Sequence, residues 1–443
     1  MTLAAATRGP GSPASARLYE EASKYLPGGS SRVHYFYEPH PIYARSGAGC
    51  RLTDVDGVER LDFLNNMTSL IHGHAHSGIS AAIVDQLERG NAWSEPGEAE
   101  VVLAKLMVER VPSVERIRFS NSGTESVMLA IKLAREFTGR TKVAKFEGFY
   151  HGYYDYVQVS VTSEPSSWGS ADEPASTANS GGLSSSVLGE VVTFPFNDLA
   201  AVERLMAKHG RSLACFILDP LAGQAGTPIP EPGFLDALTT VCRRHGVIVL
   251  YDEVVSFRVH YGGAQAAYGG TPDLTIFGKI IGGGLPVGAV GGRADIMSLL
   301  DPSRGRPRVL SGGTFSANPL TMVAGLAAMQ ALPATELARL NTLGDRLRRG
   351  ADEIFARAGE RGRMGGAGSL IRINLTIDPV RDYRSWLKNL QPASRLAALH
   401  SGLLEEGVII ARGGTGCLST PMGDEEVDQF LRALERALGK LPR

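Results

Sequence analysis

The stretch Gly233–Val254, GFLDALTTVCRRHGVIVLYDEV, decides the architecture. Its first part, GFLDALTTVCRRHG, reads as a helix that Gly246 closes, since glycine ends helices without a side-chain penalty. Its second part, VIVLYDEV (Val247–Val254), reads as a strand. The strand is oily without alternation, which fits a strand covered on both faces, as in a parallel sheet. It ends on Asp252. A carboxylate after such a run must find a cation or hydrogen-bond donors. A helix cap, a salt bridge or a Mg²⁺ ligand would each also account for an acid there.

The same alternation extends outward from roughly residue 75 to residue 290. GISAAIVDQLERG and EAEVVLAKLMVERV have helical patterns, and RIRFSNSG is a short strand running into a turn. TESVMLAIKLAREFTGR is a helix with Val127, Ile131, Ala134 and Phe137 on one stripe and Gly139 as its stop. KVAKF, LACFIL (Leu213–Leu218) and LTIF (Leu274–Phe277) are further apolar strands. Strands alternating with helices predict an α/β fold with a mostly parallel sheet, whose ligand sits at the carboxyl ends of the strands. Thr162–Ser186, rich in Ser, Gly and Pro, reads either as a cover for that site or as a plain surface loop.

A helix is expected near Leu18–Tyr25, followed by short β runs and turns up to about residue 74. From about Ser316 the pattern runs helix, strand, helix, strand, helix, including GSLIRINL and VIIARGG. The expected organisation is an N-terminal segment (1–74) that joins a small α+β domain, a large domain (75–325) and a C-terminal small domain (326–443).

The bulk numbers narrow the class. The chain has 443 residues, 43% hydrophobic and 21% charged, which suits a folded globular protein with a large core. A net charge of −1 gives no global field for nucleic acid or an anionic membrane. The four cysteines (Cys50, Cys215, Cys242 and Cys417) lie far apart, with no zinc spacing, so no metal site is expected. Scattered thiols suit a reducing cytoplasm. The N-terminal MTLAAATRGPGSPASARLYEEA is broken by Gly and Pro and reads as a frayed tail, not a signal peptide. No apolar run approaches the roughly 20 residues of a membrane helix.

The chemistry centres on Lys279, set in DLTIFGKIIGGGLPVGAVGG (Asp273–Gly292) among apolar residues and glycine. Either its tip reaches water, or its amine is desolvated and acts as a nucleophile toward a carbonyl. SNSGTES (Ser120–Ser126) runs from a strand end into a helix start. There, N–H groups and the Ser122 and Thr124 hydroxyls make either an anion cup or an ordinary cap. SGGTFSANPLT (Ser311–Thr321) offers the Thr314 hydroxyl, and FEGFYHGYY offers Tyr150 and His151. One cofactor uses all of these. Pyridoxal 5′-phosphate needs an amine for its aldehyde, a carboxylate for its ring nitrogen, an anion cup and a stacking aromatic.

These motifs carry a resemblance. FSNSGTES, FEGFYHG, LDPLAGQAG, LYDEVVSFRV, FGKIIGGGLPVGAVGG and GGTFSANPLT, in this order, resemble those of class III aminotransferases. These are fold-type I pyridoxal-phosphate enzymes, and the nearest likeness is to the group around glutamate-semialdehyde aminomutase and β-amino acid (β-phenylalanine-type) aminotransferases. The resemblance runs from YLPGGSSR to CLSTPMGDEEVD. It implies a seven-stranded, mostly parallel sheet plus the smaller α+β domain, and a homodimer with active sites at the subunit interface. It further implies that Lys279 links to the cofactor aldehyde and shuttles the proton, and that Asp252 partners the ring nitrogen. Val254 would pack on one ring face, and Tyr150 would stack with His151 beside it. Ser122, Gly123 and Thr124 would hold the phosphate, with Thr314 contributed by the second subunit. Asp219 stands where the family's "EP" commonly has Glu, so the role there is less secure.

For substrate, Arg32 in PGGSSRVHYFYEPHP and Arg412 in IIARGGTGCLST lie where relatives line the pocket, and arginine grips a carboxylate with two hydrogen bonds. Pairing with a surface acid is the plainer reading of each. GGSSRV resembles transaminases of β-amino acids, aromatic ones included, more than the aminomutase, whose usual NSPVR is missing. The expected partners are therefore a carboxylate-bearing amine or amino acid and a keto acid such as 2-oxoglutarate or pyruvate. An aminomutase, racemase or epimerase is the alternative outcome at the same cofactor. A nucleotide-binding α/β protein lacks its G-x-x-x-x-G-K-[ST] loop here.

Overall fold

The computed structural model describes residues 12–376, 378–388 and 390–441. Residues 1–11 of the expected tail lie outside the described residues. The first helix is Pro13–Ala22, earlier in the chain than the patterning placed it. A proline in its first turn starts it, because proline's fixed φ suits that position.

The large sheet has seven strands: β1 (Arg116–Ser120), β2 (Lys142–Phe146), β3 (Val191–Phe194), β4 (Leu213–Leu218), β5 (Ile248–Asp252), β6 (Leu274–Gly278) and β7 (Gly288–Gly292). Their spatial order is β1-β7-β6-β5-β4-β2-β3. β7 runs antiparallel to both neighbours, and every other adjacent pair is parallel. This is the fold-type I arrangement of a mostly parallel α/β sheet.

The unbroken apolar strands now have a physical reason. Phe146, Phe216, Val249 and Tyr251 point into one core with Leu205 and Leu238 of the helices Leu199–His209 and Phe234–Arg244. The alternate residues Val143, Cys215, Ile217, Ile248 and Leu250 point into a second core with Val127, Ile131 and Ala134 of helix α1 (Gly123–Thr138). Each strand residue therefore leaves water, at about 1.5–3 kcal/mol per fully buried large side chain. Phe137 departs from its expected stripe. It is exposed, and the Arg293 guanidinium sits 5.5 Å from its ring centre.

By packing, Gly78–Leu337 and Pro379–Leu387 form one unit. The second unit holds the described residues up to Ser77, Ala338–Asp378 and those from Lys388 onward. The sequence boundaries expected residues 326–443 together. Residues 379–387 instead group with the large unit because their aromatics sit on glycines. A Cβ at Gly148 would lie 2.3 Å from the Tyr383 ring, and one at Gly226 would lie 2.4 Å from Trp386. Arg384 also donates to Glu147 at 2.6 Å. The same segment pins the 162–186 loop, since Tyr383 Oη donates to the Ser163 carbonyl at 2.9 Å and Arg384 Nη2 to that of Trp168 at 2.6 Å.

The second unit contains a four-stranded sheet, Ala44–Ala48, Arg51–Asp54, Glu59–Asp62 and Val408–Ile409, in that order. Its last strand joins Glu59–Asp62 in parallel, so early and late chain share one sheet. A three-stranded antiparallel sheet (Arg363–Gly365, Leu370–Asn374, Thr415–Cys417) completes it. Among the described residues no single helix is long and apolar enough to cross a membrane.

Candidate active site

Register brings the candidate residues of the large unit to one edge. Gly288, the first residue of β7, pairs with Ser120 at the end of β1 and with Gly278 at the end of β6. Asp252 ends β5 and pairs with Ile276 of β6. Asp219 follows β4 directly, and Tyr150 and His151 follow β2. The carboxyl ends of five strands thus present Ser122, Lys279, Asp252, Asp219 and His151, the edge where open α/β sheets take ligands.

Val254 is the pin of the site. A Cβ on Gly123 would come 2.9 Å from its Cγ2, and one on Gly278 would come 3.3 Å from its Cγ1. The helix start, the residue before Lys279 and the loop after Asp252 therefore meet on one isopropyl group. Gly288 is held to glycine more tightly still, because a Cβ there would lie 2.0 Å from the Ser122 carbonyl oxygen.

Ser122 caps α1, its hydroxyl accepting from the Glu125 N–H at 3.2 Å, so the plain capping reading is observed. The hydroxyl keeps its own hydrogen to donate, and the first N–H groups of a helix have no carbonyl inside it. The Thr124 hydroxyl accepts from the Tyr153 N–H at 3.3 Å. Gly152 above it has φ +95°, and a Cβ there would be 2.4 Å from Thr124 Oγ1. The loop after β2 thus closes on the helix start.

Lys279 has φ +50°, in the left-handed region that non-glycine residues seldom adopt. It opens a single tight turn, Lys279–Gly282, and Gly283 beyond it (φ +59°) abuts Ala324, whose carbonyl oxygen would be 2.3 Å from a Cβ. Strain of this kind is the sort that functional sites store, which makes Lys279 a candidate for chemistry.

Asp252 is buried. Its carboxylate accepts from His151 Nδ1–H at 2.8 Å and from the Val254 N–H at 3.1 Å. His151 is fully buried, and burial pushes its pKa down against the pull of Asp252, while the carboxylate, an acceptor, calls for a proton on the Nδ1 it faces. Nε2 of the same ring is buried without a hydrogen-bond partner among the described residues. Tyr150 is partly exposed beside them, its phenol pushed up by burial, then by Tyr153.

Asp219 is buried next to Asp252 and accepts from the Leu221 N–H at 2.9 Å. Burial, and then the Asp252 charge, push its carboxyl up to about 7. A raised folded-state pKa gives stability that is complete below the unfolded value of 3.8 and is lost as pH rises through about 7. Cofactor-free protein is therefore expected to melt at lower temperature as pH is raised from 5 to 8, and Asp219→Asn to show a shallower fall, by calorimetry. Identical slopes for the two proteins would remove this account of Asp219.

Thr314 is exposed on the wall of a cleft of about 710 Å³ that also includes Trp93, Ser120, Glu125 and Asn318. A Cβ on neighbouring Gly313 would lie 3.1 Å from Asn121 Nδ2 of the same chain. Trp93, Leu310 and Phe315 are exposed around this loop and cleft, 45%, 64% and 58% respectively.

Arg32 and Arg412 belong to the second unit. Both are exposed, and neither forms an ion pair among the described residues. Arg32 Nη1 donates to Asn66 Oδ1 at 2.7 Å and to Tyr35 Oη. Asn66 escaped the sequence reading. Its one local signal is that asparagine tolerates left-handed backbone better than most residues.

A family model described as Aminotransferase class-III matches residues 35–438. The glutamate-1-semialdehyde 2,1-aminomutase of Desulforudis audaxviator is 40% identical over 432 residues, covering 96% of this chain and 97% of its own. An omega-transaminase from Sphaerobacter thermophilus is 48% identical with a TM-score of 0.94, covering 97% and 98%. A β-phenylalanine aminotransferase from Variovorax paradoxus is 32% identical with a TM-score of 0.86, covering 97% and 96%.

Proposed function

The chain belongs to the class-III aminotransferases, and on that premise we propose that it moves an amino group from a carboxylate-bearing amine, a β-amino acid, to a keto acid. It is a pyridoxal-phosphate-dependent enzyme. The observation that carries the substrate reading is Arg32, an exposed guanidinium fixed by two side-chain oxygens, with no acid paired to it among the described residues.

The residues present fit the cofactor. The cradle at Gly123 admits no side chain, Asp252 offers a buried carboxylate, and His151 Nε2 is a buried polar atom with no hydrogen-bond partner among the described residues. When bound, pyridoxal phosphate supplies an aldehyde for an amine and a ring that takes up the electrons of a broken C–H bond. Ser122, Gly123 and Thr124 would hold its phosphate at the helix start. Val254 and Tyr150 would flank the ring. Asp252 would keep the ring nitrogen protonated, with the His151 Nδ1–H fixing which carboxylate oxygen faces it. The Lys279 amine would hold the aldehyde, yield to the donor amine, take the donor carbon's proton and return it across the nitrogen to the former aldehyde carbon, two atoms away. Repeating the steps in reverse on a keto acid gives ping-pong kinetics. Asp219 would sustain the acidic environment of Asp252, with one carbon less reach than Glu. We also place the enzyme in the cytoplasm as a homodimer whose Thr314 serves the neighbouring subunit's phosphate. The exposed Trp93, Leu310 and Phe315 support the dimer.

Arg32→Ala and Arg412→Ala are each expected to raise KM for carboxylate-bearing donors roughly tenfold or more, the worth of a charge-assisted hydrogen bond, with kcat little changed. KM unchanged in both variants removes the carboxylate clamp. The aminomutase outcome is the second reading, favoured by the likeness to the Desulforudis audaxviator protein. The test is product stoichiometry. One keto product per donor consumed, only with a keto acid present, supports transamination, whereas isomerised product without any acceptor overturns it.

A further inference from the structure

We propose that Asn66 is a positioning residue that aims Arg32 at the substrate carboxylate while leaving its charge unspent. The inference rests on the reading of Arg32 given above. Arg32 Nη1 is committed twice, to Asn66 Oδ1 at 2.7 Å and to Tyr35 Oη. Tyr35 Oη itself donates to Asn66 Oδ1 at 3.1 Å, closing a three-membered network, and the guanidinium lies 5.0 Å from the Tyr35 ring centre. Nε and Nη2 have no hydrogen-bond partner among the described residues. These two atoms form the edge that meets a carboxylate with two parallel hydrogen bonds. Asn66 and Tyr35 therefore hold the back of the fork so that its open edge stays presented.

The backbone under Asn66 is unusual. Asn65, Asn66, Met67 and Thr68 have φ of +48°, +48°, +55° and +71°, four consecutive non-glycine residues in the left-handed region. Each is strained there, and such strain persists only where the surroundings over-determine it. They do. Asp62 Oδ1 accepts from the Leu64 and Asn65 N–H groups, both at 2.8 Å, while Asp62 Oδ2 accepts from His74 Nε2 at 2.8 Å. The buried Asn65 amide donates to the Cys417 carbonyl at 3.0 Å. The turn is thus locked from below, and the side chain it presents upward is the one bonded to Arg32.

The chemistry of the amide is the point. An aspartate at 66 would accept the same hydrogen bond, but its charge would neutralise Arg32 and repel an incoming carboxylate. An aliphatic residue would leave the guanidinium free to swing. A neutral acceptor orients the arginine without competing for it.

Two variants separate these roles. Asn66→Gly keeps the left-handed backbone and removes the acceptor, while Asn66→Asp keeps the acceptor and adds the charge. Each is assayed with 3-amino-3-phenylpropanoate and with 1-phenylethylamine, which lacks the carboxylate. Binding of the unreactive 3-phenylpropanoate is measured by calorimetry. Expected for Asn66→Gly is a KM for the amino acid, and a Kd for 3-phenylpropanoate, raised about tenfold, with Asn66→Asp raised further. In both variants kcat and the KM for 1-phenylethylamine stay within about twofold. Equal losses for both amines, or Asn66→Asp binding carboxylate as well as the wild type, overturn the proposal. So do unchanged Asn66 variants beside an Arg32→Ala that has lost carboxylate affinity, an outcome that leaves the proposed function standing. An Arg32→Ala that keeps its carboxylate affinity removes both.

Discussion

Lys279→Ala is expected to lower kcat by roughly 10⁴-fold or more, because in the proposed mechanism one amine both anchors the cofactor aldehyde and moves the substrate proton. Lys279→Arg fails to rescue it. A guanidinium stays protonated at any working pH and cannot serve as nucleophile or base. The measurements are steady-state kcat and peptide mass mapping after borohydride treatment, which fixes the cofactor to the Lys279 peptide only where a lysine is present. The backbone supplies an independent reading. Because Lys279 sits at φ +50°, Lys279→Gly occupies a conformation natural to glycine. That variant is expected to keep or raise the melting temperature of cofactor-free protein while being inactive, the pattern of a residue retained for chemistry at the expense of strain. Normal turnover in Lys279→Ala would end the proposed mechanism.

Asp252→Asn carries the second largest effect, a fall in kcat of roughly 10²–10³-fold, the scale of removing one preorganised electrostatic partner from a buried site. The carboxylate is 5% exposed and held by two donors, the His151 ring at 2.8 Å and the Val254 N–H at 3.1 Å. Asparagine keeps the shape and loses the charge that, in the proposed mechanism, would hold a proton on the ring nitrogen. A cofactor analogue methylated on that nitrogen carries the positive charge permanently. It should therefore return part of the activity to Asp252→Asn and nothing to Lys279→Ala. Failure of that analogue to distinguish the two variants would show that Asp252 serves packing instead.

The unalternating strands around LACFIL and VIVLYDEV gave the parallel sheet, because burial on both faces writes itself directly into residue type. β7 left no such mark. GAVGG is a poor strand by propensity, yet it lies between β1 and β6 because a Cβ at Gly288 would meet the Ser122 carbonyl and one at Gly292 the Asp273 carbonyl at 2.2 Å. Its glycines answer to close backbone approach, which no periodicity reveals. Residues 379–387 are the same kind of case, since Tyr383 and Trp386 belong with glycines some 235 and 160 positions away in the chain.

By itself the sequence determined the α/β layering and named the lysine, the acid and the helix start as candidates, each written in a few adjacent residues. Only the tertiary structure decided that the segments after β1, β5 and β6 meet on Val254, that His151 leans on Asp252 with its other nitrogen unpartnered among the described residues, and that Arg32 is bonded to a left-handed Asn66 and to no acid among the described residues. The reason is one of range. Burial and backbone preference act on neighbours along the chain, whereas the partner of a charged side chain is chosen by whatever distant segment packing brings within about 3 Å of it.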